Sequence, residues 1–127
     1  MAGPQENKYI IIAVDFDQTL HDKTFPNFGR PNFTLIKALN IMKDKGHKII
    51  LWTCRDGEAL ERAVDFCEEN GLQFDAVNDN VKDMKGKPYA NKKIYADIYI
   101  DDRNLHIDQF INRIIEELSD DGNIKDR

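Results

Sequence analysis

Residues 10–20 read IIIAVDFDQTL, an apolar run that ends in two carboxylates, Asp15 and Asp17, spaced by one residue. The β-branched residues favour a strand that is buried on both faces, which is typical of a parallel sheet covered by helices. Such a strand needs no acid at its end in order to fold. Two neighbouring acids repel each other unless a cation or a shared proton stabilises them. The stretch therefore predicts a central strand with a charged site at its carboxyl end.

The composition is that of a soluble globular protein. The 127 residues predict one domain, 1–127, with polar and flexible ends at 1–7 and 119–127. The net charge of −5, without a basic block, disfavours general nucleic-acid binding. No apolar run reaches the length of a membrane span, and the N-terminus lacks a signal-peptide pattern, so we expect a cytoplasmic protein. Cys54 and Cys67 are expected to be reduced thiols rather than a disulfide.

Strand and helix patterns alternate along the chain in the order β-α-β-α-β-β-α. The predicted strands cover about residues 8–14, 47–52, 74–77 and 94–100. The predicted helices cover about residues 32–45, 58–70 and 105–118, and the remaining long segments, 18–31 and 78–92, are predicted loops. This order predicts an α/β fold, a three-layer α/β/α doubly wound parallel sheet.

The unusual polar residues all follow predicted strands. They are Asp15, Asp17, Thr53, Asp101 and Asp102. In doubly wound sheets, ligands bind at the carboxyl ends of the strands, near the point where the strand order reverses. We therefore expect these side chains to meet at one edge of the sheet and to form a single site.

Carboxylates that converge in this way form a hard-oxygen site, which suits Mg²⁺ better than zinc. The three histidines, His21, His47 and His106, are not spaced as a set of metal ligands. A carboxylate beside such a metal can attack phosphorus, and a second acid can move the proton of the leaving oxygen. A hydroxyl, backbone N–H groups and a lysine can hold the phosphoryl oxygens. The site is therefore suited to phosphoryl transfer.

Three motifs, DFDQTL, LWTCRDG and KKIYADIYIDDRN, resemble those of the haloacid dehalogenase-like (HAD) superfamily of phosphohydrolases. The resemblance spans residues 8–104 and is nearest to small uncharacterised bacterial and phage members with a YIDDRN ending. It implies that Asp15 is the nucleophile and that Asp17 is the general acid/base, with its backbone carbonyl also facing Mg²⁺. It also implies that Thr53 binds the phosphoryl group.

The resemblance extends to further site residues. Phe16 and Cys54 join the implied phosphate-binding set, beside Thr53. Asp102 aligns as the direct metal ligand, with Asp101 as its neighbour or as a ligand through water.

The site lysine is open among three candidates. Lys93 is our choice, for catalysis and for phosphate binding, and Lys92 and Lys87 are its rivals.

The chain departs from the family pattern at Gln18, where the family usually has glycine. The Gln18 side chain is expected to narrow the site or contact substrate. Arg55 either contacts substrate or neutralises the acidic edge. The windows at 18–31 and 78–92 are too short for a lid domain, so the chain resembles capless members. An open site suits a phosphate on a large substrate, or closure by a neighbouring subunit in a homo-oligomer.

Several of these residues also have plainer interpretations. His21, Phe25 and Phe28 either line the entrance or pack within the loop, and Trp52 is expected in the core. Cys54 is unsuited as the nucleophile of a cysteine phosphatase, since those enzymes place an arginine six positions later and this chain has leucine there.

The expected function is Mg²⁺-dependent hydrolysis of a phosphomonoester through an aspartyl-phosphate intermediate. One alternative is a catalytically weak phosphate-binding module of the same fold, and another is phosphotransfer to an acceptor other than water. A response-regulator receiver domain is disfavoured, because it places a lone phosphoacceptor aspartate after the third strand. Here the third predicted strand is followed by Asn78.

Overall fold

The computed structural model describes residues 9–81 and 94–103, together with Asn112 and Glu116. The elements occur in the predicted order. They are β1 (Ile11–Val14), α1 (Phe33–Asp44), β2 (Lys48–Leu51), α2 (Gly57–Glu69), β3 (Ala76–Val77) and β4 (Ile98–Ile100). The predicted helix at 105–118 lies outside the described residues, except for Asn112 and Glu116, which are helical and exposed.

The four strands form one parallel sheet in the order β3-β2-β1-β4. From β1 the chain moves to β2 and β3 on one side, and then crosses back to β4 on the other side. The order therefore reverses at β1, between β2 and β4. Right-handed connections place the first two crossings, which contain α1 and α2, on one face of the sheet. The α/β class and the parallel sheet are thus as predicted.

Strand β1 is buried on both faces, as its composition predicts. Ile12 and Val14 belong to a core that also contains apolar residues of α1 and of α2. Ile11 and Ala13 face the other way, into a smaller cluster that includes Val81 and Ala96. All four side chains of β1 are at most 3% exposed. Both described helices therefore cover one face, and the predicted helical layer on the other face remains a prediction.

The strands are shorter at their starts than predicted. Before β4, the carboxylate of Asp97 accepts a hydrogen bond from Ile11 N at 2.8 Å, and the hydroxyl of Tyr99 bonds the backbone of Ala96 and Ile94. Asp97 N still donates to Ile11 O at 2.8 Å, whereas side-chain bonds hold the backbone of Ile94 and Ala96 in place of ladder pairing. Apolar composition alone does not reveal this change of partner.

The helix boundaries agree closely with the predicted ones. Asn32 accepts a hydrogen bond from Leu35 N at 3.1 Å and so caps the start of α1. Gly46 and Gly71 follow the two helices with φ of 99° and 92°, a left-handed conformation that glycine adopts without strain. No helix among the described residues is long and apolar enough to cross a membrane.

Residues 21–31, called the flap below, form a closed loop beside the carboxyl end of β1. His21 and Pro31 pair as an antiparallel bridge, and Asn32 N donates to the carbonyl oxygen of Leu20 at 2.8 Å. The Asp22 carboxylate accepts from Arg30 N at 2.7 Å across the loop. The flap is therefore a compact loop of the domain rather than a separate lid domain, as the short segment at residues 18–31 predicts.

Candidate active site

The sheet register brings the carboxyl ends of three strands together. The last residues of β1, β2 and β4 are paired, so the residues that follow them, Asp15, Trp52 and Asp101, reach the same edge. Two further backbone bonds extend the pairing: Asp15 N donates to Ile100 O, and Trp52 N donates to Val14 O, each at 2.9 Å. Asp15 thus lies on the central strand, where the strand order reverses and ligands bind in folds of this kind.

A cleft of about 250 Å³ opens at this edge, and we call it the first cleft. It is lined by Asp15, Trp52, Thr53, Cys54 and Asp101. Four residues from the predicted site therefore meet here, namely Asp15, Thr53, Asp101 and Cys54. Cys54 is an exposed free thiol. The other free thiol, Cys67, is buried, and burial raises its pKa to about 12.

The Asp15 carboxylate is poorly compensated. Burial, and to a lesser degree the charges of Asp17, Asp101 and Asp102, raise its pKa to about 6. One hydrogen bond acts in the opposite direction, from Phe16 N to Asp15 Oδ1 at 2.7 Å. The Phe16 N–H, predicted to hold phosphate, thus holds the Asp15 carboxylate in this structure. A cation at Asp15 would relieve the remaining repulsion.

The pKa of Asp17 is lowered, whereas that of Asp15 is raised. Arg55 forms a bidentate ion pair with Asp17, in which Nε donates to Oδ2 at 3.0 Å and Nη2 donates to Oδ1 at 2.7 Å. His21 Nε2 lies 2.9 Å from Asp17 Oδ1. Partial burial alone would raise the pKa of Asp17, but the bonds from Arg55 and His21 outweigh it and lower the pKa. Both oxygens of this carboxylate are therefore engaged.

Arg55 is buried in a cage of aromatic rings. Its guanidinium carbon lies 4.8–4.9 Å from the ring centroids of Phe16, Phe25 and Phe28. Its Nη2 also donates to the carbonyl oxygen of Asn27 at 3.2 Å. Arg55 thus neutralises Asp17 and binds the flap, while contact with substrate stays a prediction.

The tautomer of His21 follows from its neighbours. Nδ1 accepts hydrogen bonds from Gly29 N at 2.9 Å and from Lys23 N at 3.3 Å. Because Nδ1 is an acceptor, Nε2 carries the proton and donates it to Asp17. His21 is fully buried and packs against Phe16 and Phe28. It therefore packs beneath the site rather than lining an entrance.

A second cleft, of about 220 Å³, adjoins the first at Cys54. It is lined by Asp17, Phe25, Cys54, Arg55, Asp56 and Ala59. Phe25 is 57% exposed, so of the two interpretations for the flap aromatics, Phe25 lines a cleft and Phe28 packs. Asp56 precedes α2 without forming a side-chain cap bond.

Thr53 is positioned by a residue from the next strand. Thr53 N donates to Asn78 Oδ1 at 2.8 Å, and Asn78 N donates to Leu51 O at 2.8 Å. Asn78 has a left-handed backbone with φ of 50°. The Thr53 hydroxyl accepts from Arg55 N at 3.2 Å. These bonds fix the loop between β2 and α2 at the edge of the first cleft.

Two other predicted site residues, Asp102 and Gln18, line neither of the two clefts. Asp102 is exposed and lines neither cleft, whereas Asp101 lines the first one and accepts from Arg103 N at 2.8 Å. Gln18 is exposed, has a left-handed φ of 63° and lines neither cleft, so its part in substrate contact stays a prediction.

The lysines at 87, 92 and 93 lie outside the described residues. Among the residues that are described, no three His, Cys, Asp or Glu side chains are grouped to hold a metal ion. Asp15 and Asp101 nevertheless offer hard oxygens to one cleft, and the raised pKa of Asp15 reports an uncompensated charge. Mg²⁺ commonly uses one or two carboxylates and completes its shell with water and substrate phosphate. The donor set fits Mg²⁺.

Sequence reasoning missed the roles of Trp52 and Asn78. Trp52 packs against the smaller core cluster, in part as expected, but it is also partly exposed and lines the first cleft. Asn78 directly follows β3, so the rule that singled out Asp15 also applies to it. The pairing of His21 with Asp17 could be suspected only from their separation of four residues in the sequence.

Comparison with known proteins identifies one solved structure of a related chain. It is a conserved protein from Bacteroides thetaiotaomicron with 30% sequence identity and a TM-score of 0.71. The similarity covers 94% of this chain and 100% of that one. No protein-family model matches the chain, and no curated protein does.

Proposed function

This chain belongs to the same family as the conserved Bacteroides thetaiotaomicron protein, and we propose that it is a Mg²⁺-dependent phosphomonoester hydrolase. We assign it the three-layer, capless fold of the HAD superfamily. The observation that carries the proposal is the first cleft. A half-buried Asp15 lies there directly after the central strand, where the strand order reverses, together with Asp101 and Thr53, and the charges of neighbouring carboxylates act on it.

Asp15 is the proposed nucleophile. A carboxylate oxygen attacks phosphorus and forms an acyl phosphate, while the bond from phosphorus to the leaving oxygen breaks. The leaving oxygen keeps the electron pair and takes up a proton. Water then attacks the phosphorus of the aspartyl phosphate, which releases inorganic phosphate and restores the Asp15 carboxylate. The hydrogen bond from Phe16 N fixes the carboxylate for this attack.

Asp15 and Asp101 would hold Mg²⁺, with Asp102 beside them and the Asp17 carbonyl as the family pattern implies. When bound, the ion neutralises charge on the nucleophile and the phosphoryl oxygens. Thr53, held by Asn78, would donate its hydroxyl to a phosphoryl oxygen. The predicted lysine, Lys93 or its rivals, remains a prediction.

Asp17 is proposed to move protons, as the family resemblance implies. Both of its oxygens accept bonds from Arg55 or His21 here, so proton transfer requires one of these bonds to open. Because both oxygens of Asp17 are engaged, we also consider a second candidate function, a phosphate-binding module with weak or no turnover. Transfer of the phosphoryl group from Asp15 to an acceptor other than water is a variant of the same chemistry.

The deciding experiment is the release of phosphate from an aryl phosphate, measured with and without Mg²⁺. We expect Mg²⁺-dependent turnover that is lost in Asp15→Asn. Asp44→Asn is the matched control, because Asp44 is an exposed acid of α1 that lines neither cleft. Inert wild-type protein that still binds phosphate would establish the binding module. Turnover that persists in Asp15→Asn would exclude Asp15 as the nucleophile.

A further inference from the structure

The second cleft opens directly beside the first, and of its lining residues only Asp17 has a proposed part in the phosphoryl chemistry described above. Cys54 lines both clefts, and the Asp17 and Arg55 pair forms part of the second wall. A phosphomonoester held at Asp15 has a leaving group that must extend away from phosphorus. The second cleft is a neighbouring space into which it can extend.

The size of the second cleft matches one ring system. Its volume is about 220 Å³, whereas a protein cavity of ~150 Å³ accommodates benzene. Both clefts fall short of the ~300 Å³ at which whole small-molecule sites begin. The two clefts together therefore suit a phosphate joined to a single or fused ring, rather than a long chain or a polymer.

The walls of the second cleft favour an aromatic ring. Phe25 is 57% exposed and lines the second cleft, so its ring is available to a ligand there. The Arg55 guanidinium lies 4.9 Å from the Phe25 ring centroid, so it holds the ring in place beside the cleft. A bound ring would contact Phe25 in an offset or edge-on arrangement, as aromatic pairs prefer, with Ala59 as a small neighbour.

The charges of the second cleft exclude an anionic leaving group. Among the described residues that line it, Arg55 is the only cation, and its Nε and Nη2 already bind Asp17 and Asn27. Asp56 adds a carboxylate that forms no cap bond to α2. A second phosphate or a carboxylate in this cleft would meet the charges of Asp17 and Asp56, and the one cation among its described lining residues is already paired with Asp17.

We propose that the second cleft is the leaving-group subsite of this protein, and that it takes an uncharged or cationic aromatic ring. The proposal rests on the phosphatase function proposed above and names its substrate class as aryl or aryl-bearing phosphomonoesters. The scissile bond lies near Cys54, where the two clefts meet. Phe25 is the residue that determines specificity.

The test measures the binding of non-hydrolysable phosphonates in the presence of Mg²⁺, so that leaving-group reactivity does not enter. The probes are benzylphosphonate, cyclohexylmethylphosphonate, 4-carboxybenzylphosphonate and inorganic phosphate. We expect the benzyl compound to bind between about twofold and tenfold more tightly than the cyclohexyl compound of similar size. The carboxylated ring is expected to bind more weakly than the unsubstituted one.

Phe25→Leu should remove the aromatic preference, so that the benzyl and cyclohexyl compounds bind with similar affinity. Phe33→Leu is the matched control, since Phe33 is 59% exposed and lines neither cleft. Equal binding of the cyclohexyl and benzyl compounds would overturn the aromatic subsite, as would a preference that survives in Phe25→Leu. Equal binding of the carboxylated ring would overturn the charge argument. Failure to bind phosphate or any phosphonate, together with absence of turnover, would instead overturn the proposed function.

Discussion

Arg55 and Asp17, which are 38 residues apart in the sequence, form a bidentate ion pair with N–O distances of 3.0 and 2.7 Å. The pair joins the loop after β2 to the loop after β1. Through Asn27 O and the ring of Phe28, Arg55 also holds the flap. One side chain thus connects both walls of the second cleft and sets the charge of Asp17.

Substitution of Arg55 by Met is expected to destabilise the fold. The Arg55 side chain is 2% exposed and that of Asp17 is 22% exposed, so the variant leaves a partly buried carboxylate without its partner. Removal of one partner from a buried pair costs about 3–5 kcal/mol, and the partial exposure of Asp17 places this case near 3 kcal/mol. The free energy of unfolding in urea measures the loss.

Lys43→Gln is the matched control for that measurement. Lys43 and Asp75 form a partly exposed pair at 3.4 Å, for which we expect a change below about 1 kcal/mol. If Arg55→Met costs no more than Lys43→Gln, the buried pair does not hold the flap as described.

Ionisation of Asp15 should lower the free energy of unfolding as the pH rises. Its pKa is raised from 3.8 to about 6, so the folded chain binds this proton more tightly than the unfolded chain does. The unfolding free energy contributed by Asp15 is therefore highest below pH 4 and falls as the pH rises from about 4 to about 6. Asp17, whose pKa is lowered, acts in the opposite direction and below pH 4.

The measurement is the difference in unfolding free energy between wild type and Asp15→Asn, followed over that pH range without metal. We expect Asp15→Asn to be the more stable protein at neutral pH and to lose that advantage near pH 4. Added Mg²⁺ should stabilise wild type more than Asp15→Asn. A difference that does not vary with pH would show that Asp15 is not an uncompensated buried acid.

The sequence predicted the sheet and the meeting of Asp15, Thr53 and Asp101, because both depend on local rules. Buried parallel strands have a recognisable composition, and parallel strands place their carboxyl ends at one edge. The state of Asp17 was not predictable in the same way. It depends on where the flap carries His21 and on Arg55, which is 38 residues distant in the sequence. Long-range side-chain pairing leaves no periodic pattern in a single sequence.

Gln18 is expected to carry backbone strain. Its φ of 63° is left-handed, which costs an L-residue other than glycine about 1–2 kcal/mol. Glycine removes that cost but loses more backbone entropy on folding. Gln18→Gly should therefore raise the unfolding free energy by about 0.5–1 kcal/mol, measured in urea. Gln18→Ala keeps the strained φ and should be close to neutral, so a gain of equal size in both variants would contradict the strain.

Asn78 is expected to affect activity through Thr53, which it contacts, rather than through substrate. Asn78→Gly keeps the left-handed backbone at φ of 50° without strain but removes the oxygen that accepts from Thr53 N. Small misplacements of a positioning group cost up to about a hundredfold in rate. We expect kcat/KM for an aryl phosphate to fall between about tenfold and a hundredfold. Asn78→Asp retains an acceptor and should recover part of the loss, whereas wild-type kcat/KM in Asn78→Gly would show that this bond does not position Thr53.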